Sequence, residues 1–172
     1  MISGDEPDWQ REKITTFWQP SKKLIRSIRD YQNVSAQRSL VSQLKQKIAV
    51  LRYRFWSVVS GTDIPLNLNI GGGISMPHAN GIVIHPSAVI GVNCLIHQQV
   101  TLGVKRHEAK APTLIGHVDI GAGAKIIRNI IIGKHALIGA NSLVTKDVPD
   151  FAIVAGVLAR VIGSTKETVT QC

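Results

Sequence analysis

Ile84, Ile90, Ile96 and Leu102 follow one another at intervals of six residues, and after an interruption Leu114, Ile120, Ile126, Ile132, Ile138 and Val144 resume the same interval. Helices repeat near 3.6 residues and flat strands at 2, so neither produces this pattern. Four residues after each aliphatic stands a mostly small or apolar residue: Ala88, Cys94 and Val100, then Val118, Ala124, Ile130, Ala136 and Ser142. Glycine directly follows the aliphatic at Gly71, Gly91, Gly103, Gly121, Gly133 and Gly139. A short strand with one large side chain inward, then a small residue where the backbone turns a corner, gives one side of a triangle. Three such hexads close one coil of eighteen residues, and stacked coils bury a continuous aliphatic column. The predicted fold is mainly β, wound as a stack of triangular coils.

The region before the coils has a different grammar. Trp9, Phe17, Trp18, Tyr31, Tyr53, Phe55 and Trp56 all precede Gly61, and only Phe151 follows it. We therefore expect an N-terminal helical segment over residues 1–60 and a coil domain with a C-terminal tail over 61–172. Between Ser39 and Val59, Leu40, Leu44, Ile48, Leu51, Phe55 and Val59 recur at three- and four-residue steps among Lys45, Lys47, Arg52 and Arg54, the pattern of an amphipathic helix. A shorter helix is expected over Lys22 to Tyr31, with Pro20 near its start. The basic amphipathic segment is expected either to cap the open end of the coils or to touch an anionic membrane surface.

The formal charge of +9 suits an anionic partner. The two cysteines, Cys94 and Cys172, form no metal-binding or disulfide spacing, no apolar run is long enough to span a bilayer, and the N-terminus lacks a signal peptide's apolar core. These features lead us to expect a cytoplasmic protein, with the inner face of the membrane as the place of any lipid contact.

Departures from the ladder are residues the stack does not require, and chemistry can be placed there. Steps of six from Ile64 reach Ile70 and Met76, but the next aliphatic is Ile84, two beyond its place. Pro77-His78-Ala79-Asn80-Gly81 must bulge at a corner, which expels His78 from the repeat. A second departure, Val104 to Ala111, is charged and aperiodic and reads as an exposed loop.

Gly61-Thr62-Asp63-Ile64-Pro65, Met76-Pro77-His78-Ala79-Asn80-Gly81, Gln99-Val100-Thr101-Leu102-Gly103, Ile120-Gly121-Ala122-Gly123-Ala124-Lys125 and Ala155-Gly156-Val157-Leu158-Ala159-Arg160 together resemble the serine acetyltransferase branch of the hexapeptide-repeat acyltransferases. The resemblance runs from Gly61 to Gly163. It implies a left-handed parallel β-helix, assembly as a homotrimer with active sites between subunits, acetyl-CoA as co-substrate with no metal or nucleic acid, and a catalytic pair corresponding to His78 and Asp63. A neutral imidazole would take the acceptor hydroxyl's proton as its oxygen attacks the thioester, and a carboxylate would orient the ring. The resemblance also points to main-chain groups near Gly103, Ala122 and Ala140 along the pantetheine arm, and to Lys146 and Arg160 for the phosphates of CoA.

The acceptor side departs from that branch. Where the serine enzymes carry an acidic residue before the bulge histidine and an Arg-His pair before the proline that ends the loop, this chain has Pro77, Lys110 and Ala111. An ammonium without its carboxylate is costly to bury. The expectation from this stretch is a sugar hydroxyl acceptor on a surface or exopolysaccharide intermediate, as in short polysaccharide-biosynthesis O-acetyltransferases, with Asn80, Arg106, His107 and Lys110 as acceptor contacts. Serine O-acetylation is the alternative. Readings from other classes are a γ-carbonic-anhydrase-like zinc protein, suggested by His85, His97, His107, His117 and His135, and a non-catalytic scaffold.

Overall fold

The computed structural model describes residues 2–35 and 39–168, so Cys172 lies outside the described residues. Three parallel sheets form the sides of a triangular prism. The first contains Asn69–Ile70, Val89–Val92, Thr113–Gly116 and Ile131–Ile132; the second Leu95–Ile96, Asp119–Ile120, Leu137–Ile138 and Ala152–Ala155; the third Val83–Ile84, Thr101–Gly103, Lys125–Ile127 and Leu143–Val144. Arg160–Ser164 closes the second sheet as an antiparallel partner of Ala152–Ala155. The ten aliphatics of the six-residue ladder point into the prism, and none is more than 2 % exposed. Ala88, Cys94, Val100, Val118, Ala124, Ala136 and Ser142 are buried between them, as the period predicts. Small residues are required where coils touch: a Cβ on Gly91 would lie 1.8 Å from the Ile115 carbonyl oxygen.

Register measures each departure. Val83 faces Thr101 and Lys125 faces Leu143, both eighteen residues on, which is one regular coil. Ser75 and Val83 are eight residues apart, whereas their partners Leu95 and Thr101 are six apart. Two additional residues therefore stand at the corner from the second face to the third, and that corner carries His78. Thr101 faces Lys125, twenty-four residues on, because the 104–111 loop leaves between the third face and the first.

Among the described residues, a short 3-10 helix, Trp9–Glu12, and two α-helices precede the prism. Ser39 caps the second α-helix, its side-chain oxygen accepting from the Val41 N–H, and Gly61 ends it in the left-handed region at φ 62°. The α-helices are α1, Pro20–Ser35, and α2, Leu40–Ser60. From α1, Leu24, Ile25 and Ile28 join one buried cluster with Ile64, Leu68 and Ile70 of the first coil. Helix α2 packs on α1 through Ser42 and Ala49, with Tyr53 and Trp56 reaching the core. The apolar series Leu40, Leu44, Ile48, Leu51 and Phe55 faces outward and is exposed.

The first coil has no predecessor to satisfy its backbone, and side chains take that role. Arg29 donates to the carbonyls of Ile70 and Gly71 at 2.7 and 2.6 Å, Gln32 to those of Leu66 and Leu68, and the Tyr53 hydroxyl to that of Ile64. Glu12 accepts from the N–H groups of Gly73 and Ile74 and pairs with Arg29 at 2.9 Å, both side chains being less than one-fifth exposed. Residues 3–12 are bound in turn to the corner between the first and second faces, where Asn93 bonds the backbone of Ser3, Glu6 and Asp8.

Two substitutions probe these features by chemical denaturation. Leu114→Ala should cost about 2–5 kcal/mol through the cavity it leaves. Arg29→Met, which removes the cation paired with Glu12 and the donor to two carbonyls, should cost about 3–5 kcal/mol.

Candidate active site

His78 projects from the corner between the second and third faces and is exposed in the single chain. Asn80 and Gly81 return the chain to register: Gly81 N–H donates to the Gly61 carbonyl, and Gln99 N–H to the Asn80 carbonyl, each at 2.8 Å. The Asn80 side chain is fixed from above, its Oδ1 accepting from Gln99 Nε2 at 2.9 Å. Asp63 lies two residues past Gly61, so the same corner carries both members of the expected catalytic pair. Its backbone bonds Ile82 and Ile84 and places it beside Val83, with the side chain outward while Ile64 points in. No hydrogen bond or ion pair joins the Asp63 carboxylate to the His78 ring. The nearby charge of Asp63 instead adds to burial, which is the larger cause, in raising the pKa of the Tyr53 hydroxyl.

Ala122 and Ala140 stack above the bulge on the same edge of the prism, one coil apart: Asn141 N–H donates to the Ala122 carbonyl at 2.8 Å. Gly103 stands at the other end of the third face, paired with Ile127. Lys146 and Arg160 line a common cavity of about 700 Å³ with Thr145, Val157 and Ala159, at the C-terminal end of the prism. Arg106, His107 and Lys110 are exposed in the loop between the third and first faces, away from the edge that bears His78. That loop is held down by Glu108, which pairs with Arg128 at 3.1 Å, and by the buried Ala111, whose N–H donates to Ser87.

A cavity of about 450 Å³ lies against Met76, Pro77 and His78, and its far wall is Arg11, Glu12, Trp18, Gln19 and Lys22. Sequence reasoning missed this wall, because residues 8–22 carry no periodicity that ties them to a corner sixty residues away. The signal available was the charged and aromatic density of Arg11, Glu12 and Trp18 just before the predicted helix, with Lys22 in the first turn of that helix.

The remaining histidines do not converge. Only His117 and His135 touch, Nδ1 to Nδ1 at 2.8 Å, on the corner below the N-terminal segment, and among the described residues no three His, Cys, Asp or Glu side chains are placed to hold a metal ion. Burial lowers the pKa of His117 and raises that of Asp119 beside it. Burial also pushes the Cys94 thiol up to about 11, which keeps it protonated and unreactive.

Comparison with known proteins shows what the chain is similar to. Serine acetyltransferase of Haemophilus influenzae is 36% identical over 158 residues, 91% of this chain and 59% of that protein. The enzyme of Synechococcus elongatus is 43% identical over 107 residues, covering 61% of this chain and 44% of its own length. The chain is thus similar to serine acetyltransferases, a branch of the hexapeptide-repeat acyltransferases. A solved serine acetyltransferase in complex with cysteine superposes with a TM-score of 0.72 at 37% identity, over 88% of this chain and 57% of that one, and its left-handed β-helix is the fold seen here. A second, in complex with CoA, gives 0.69 at 38% identity over 85% and 58%. No protein-family model matches the chain. The chain spans about half the length of the curated relatives it matches.

These relatives overturn the expectation of a sugar hydroxyl on a polysaccharide intermediate, since those at 36–43% identity are named serine acetyltransferases. The inference from Pro77, Lys110 and Ala111 failed for a physical reason. It assumed that charged groups beside His78 must come from those positions, whereas Arg11, Glu12 and Lys22 reach the same cavity from the N-terminal segment.

The shift of His117 has a definite sign. As pH falls through the ordinary histidine value of 6.5, the unfolded chain takes up this proton before the folded one does, so stability falls. The Asp119 shift has the opposite sign and acts lower, in the carboxylate range. Tm should therefore decrease between about pH 8 and about pH 6, and His117→Gln should flatten that slope in a scan by differential scanning calorimetry.

Proposed function

We propose that this chain is an acetyl-CoA-dependent serine O-acetyltransferase in which His78 is the general base. The observation that carries the reading is a histidine displaced from an otherwise regular repeat into a cavity that also contains a carboxylate, a guanidinium and an ammonium group. The solved relatives in complex with CoA and with cysteine support an acyl donor and an amino-acid-sized ligand for this architecture.

The donor supplies an acetyl thioester. The His78 ring removes the serine hydroxyl proton while the oxygen attacks the thioester carbonyl, and the same proton leaves on the departing thiol, so the base is regenerated. Asp63, one coil below on the same corner, supports the imidazolium that forms during this transfer; catalytic contacts of this kind tighten when substrate fills the site. Backbone N–H groups along the edge of Ala122 and Ala140 receive the acyl and pantetheine portion, where negative charge develops on the carbonyl oxygen, and Gly103, on the other edge of the third face, joins them when a neighbouring subunit brings the two edges together. Lys146 and Arg160 meet the phosphates of CoA in the cavity at the end of the prism.

For the acceptor, Arg11 and Lys22 offer cations to the serine carboxylate and Glu12 offers an anion to its ammonium. Glu12 Oε2 accepts from Arg29 Nε at 3.3 Å, which leaves that oxygen a further acceptor position. Asn80, Arg106, His107 and Lys110 belong to the acceptor side as well, but within one chain the loop occupies a different edge from His78. A neighbouring subunit in a homotrimer would bring the two edges together, and this geometry is the reason we assign the active form to three chains.

Thiol release from acetyl-CoA with serine as acceptor tests the proposal. His78→Ala should lower kcat by at least about 10²-fold while CoA binding by calorimetry is retained. Asp63→Asn should cost less, and sedimentation should give the mass of three chains. Absence of serine turnover by the native protein would overturn the assignment.

A further inference from the structure

Helix α2 exposes an apolar stripe that its contacts with α1 and the coils leave uncovered. Val41, Leu44, Ile48, Leu51, Phe55 and Val58 are each between 49 % and 82 % exposed. At 100° per residue they share one side of the helix, while Ser42, Ala49, Tyr53 and Trp56 lie on the opposite side, against the body of the protein. Leu40 and Val59, also exposed, fall in line with Val58 and Val41, so the stripe spans about 100° of the circumference along the whole helix.

The charges around the stripe identify its partner. Lys45 and Arg52 lie along one border and Lys47 and Arg54 along the other. Arg52 is paired with Asp30 at 2.9 Å, and the other three are exposed. From Tyr31 to Thr62 the chain contains no Asp or Glu. Pairing this stripe with the same stripe of a second copy would set lysine and arginine against lysine and arginine on both borders, which works against association. The stripe is also broader than the two-position seam of a paired coil. Apolar side chains flanked on both sides by cations whose alkyl stems can lie along the hydrocarbon boundary match the surface of an anionic bilayer.

We propose that α2 docks the protein peripherally on anionic lipid membranes, with this stripe in the headgroup boundary and Lys45, Lys47 and Arg54 on lipid phosphates. No described helix is long and apolar enough to cross the bilayer, so the contact is one of lying on the surface. It does not depend on the acetyl-transfer reading, because none of these side chains lines the cavity of His78.

The test is co-sedimentation of the full chain with vesicles of phosphatidylcholine alone and of phosphatidylcholine with about one-third phosphatidylglycerol, at about 50 mM and about 300 mM salt. Binding to the anionic vesicles at low salt is expected, weaker by at least about tenfold on neutral vesicles or at high salt. The variants L44Q/L51Q/F55Q and K45E/K47E/R54E should each lose at least about tenfold in anionic-vesicle binding, with helix content and sedimentation mass unchanged. The exposed charge variant decides the matter should the apolar variant not fold. Failure of the native protein to bind anionic vesicles overturns the proposal, as does undiminished binding by either variant. If L44Q/L51Q/F55Q dissociates the assembly while the native protein ignores vesicles, the stripe is an interface between copies and the proposal falls.

Discussion

The ladder between successive coils is the interaction on which everything else rests. Each strand is only two to five residues long and would not persist alone; it is held because its backbone groups are bonded to the coil below and the coil above, eighteen residues away in the regular repeat. That spacing forces the aliphatics into one column and small residues to the corners. It also confines variation: residues can be added only where the chain turns, since an insertion within a side would shift every inward residue outward. The His78 bulge and the 104–111 loop obey this rule, one at each end of the third face.

A ladder is satisfied everywhere except at its ends. At the C-terminal end the antiparallel Arg160–Ser164 strand closes the second sheet. At the N-terminal end the exposed carbonyls and N–H groups of residues 64–74 are met by side chains drawn from three separate segments, Glu12, Arg29 with Gln32, and Tyr53. The helical region thus acts on the prism through polar groups aimed at individual backbone atoms as well as through the packing of Leu24 and Ile28.

What could be read from the sequence follows the same division. The column from Ile84 to Val144 was legible because period alone encodes inward and outward, and the two extra residues around His78 were legible as a break in that period. Helix α2 was legible as amphipathic, but the direction of its apolar side was not, since Ser42 and Ala49 rather than Leu44 and Leu51 turn inward. The wall of Arg11 and Glu12 could not be placed because an aperiodic segment has no internal coordinate that sets it on a distant corner, and the period of the helix that carries Lys22 does not say which corner it faces. Reading Pro77, Lys110 and Ala111 as a loss of acceptor contacts therefore misassigned the acceptor: charge can be restored in space by residues far away in the chain.

Glu12 belongs to two structures at once. Its oxygens close the first coil by accepting from Gly73, Ile74 and Arg29, and the same carboxylate borders the cavity of His78. Any cation drawn into that cavity competes with Arg29 for one anion, so occupancy of the pocket and integrity of the open end are thermodynamically linked, each altering the other by an equal free energy. The proposed recognition site is therefore part of the fold's own boundary, and acceptor binding and closure of the β-helix end place their demands on a single side chain.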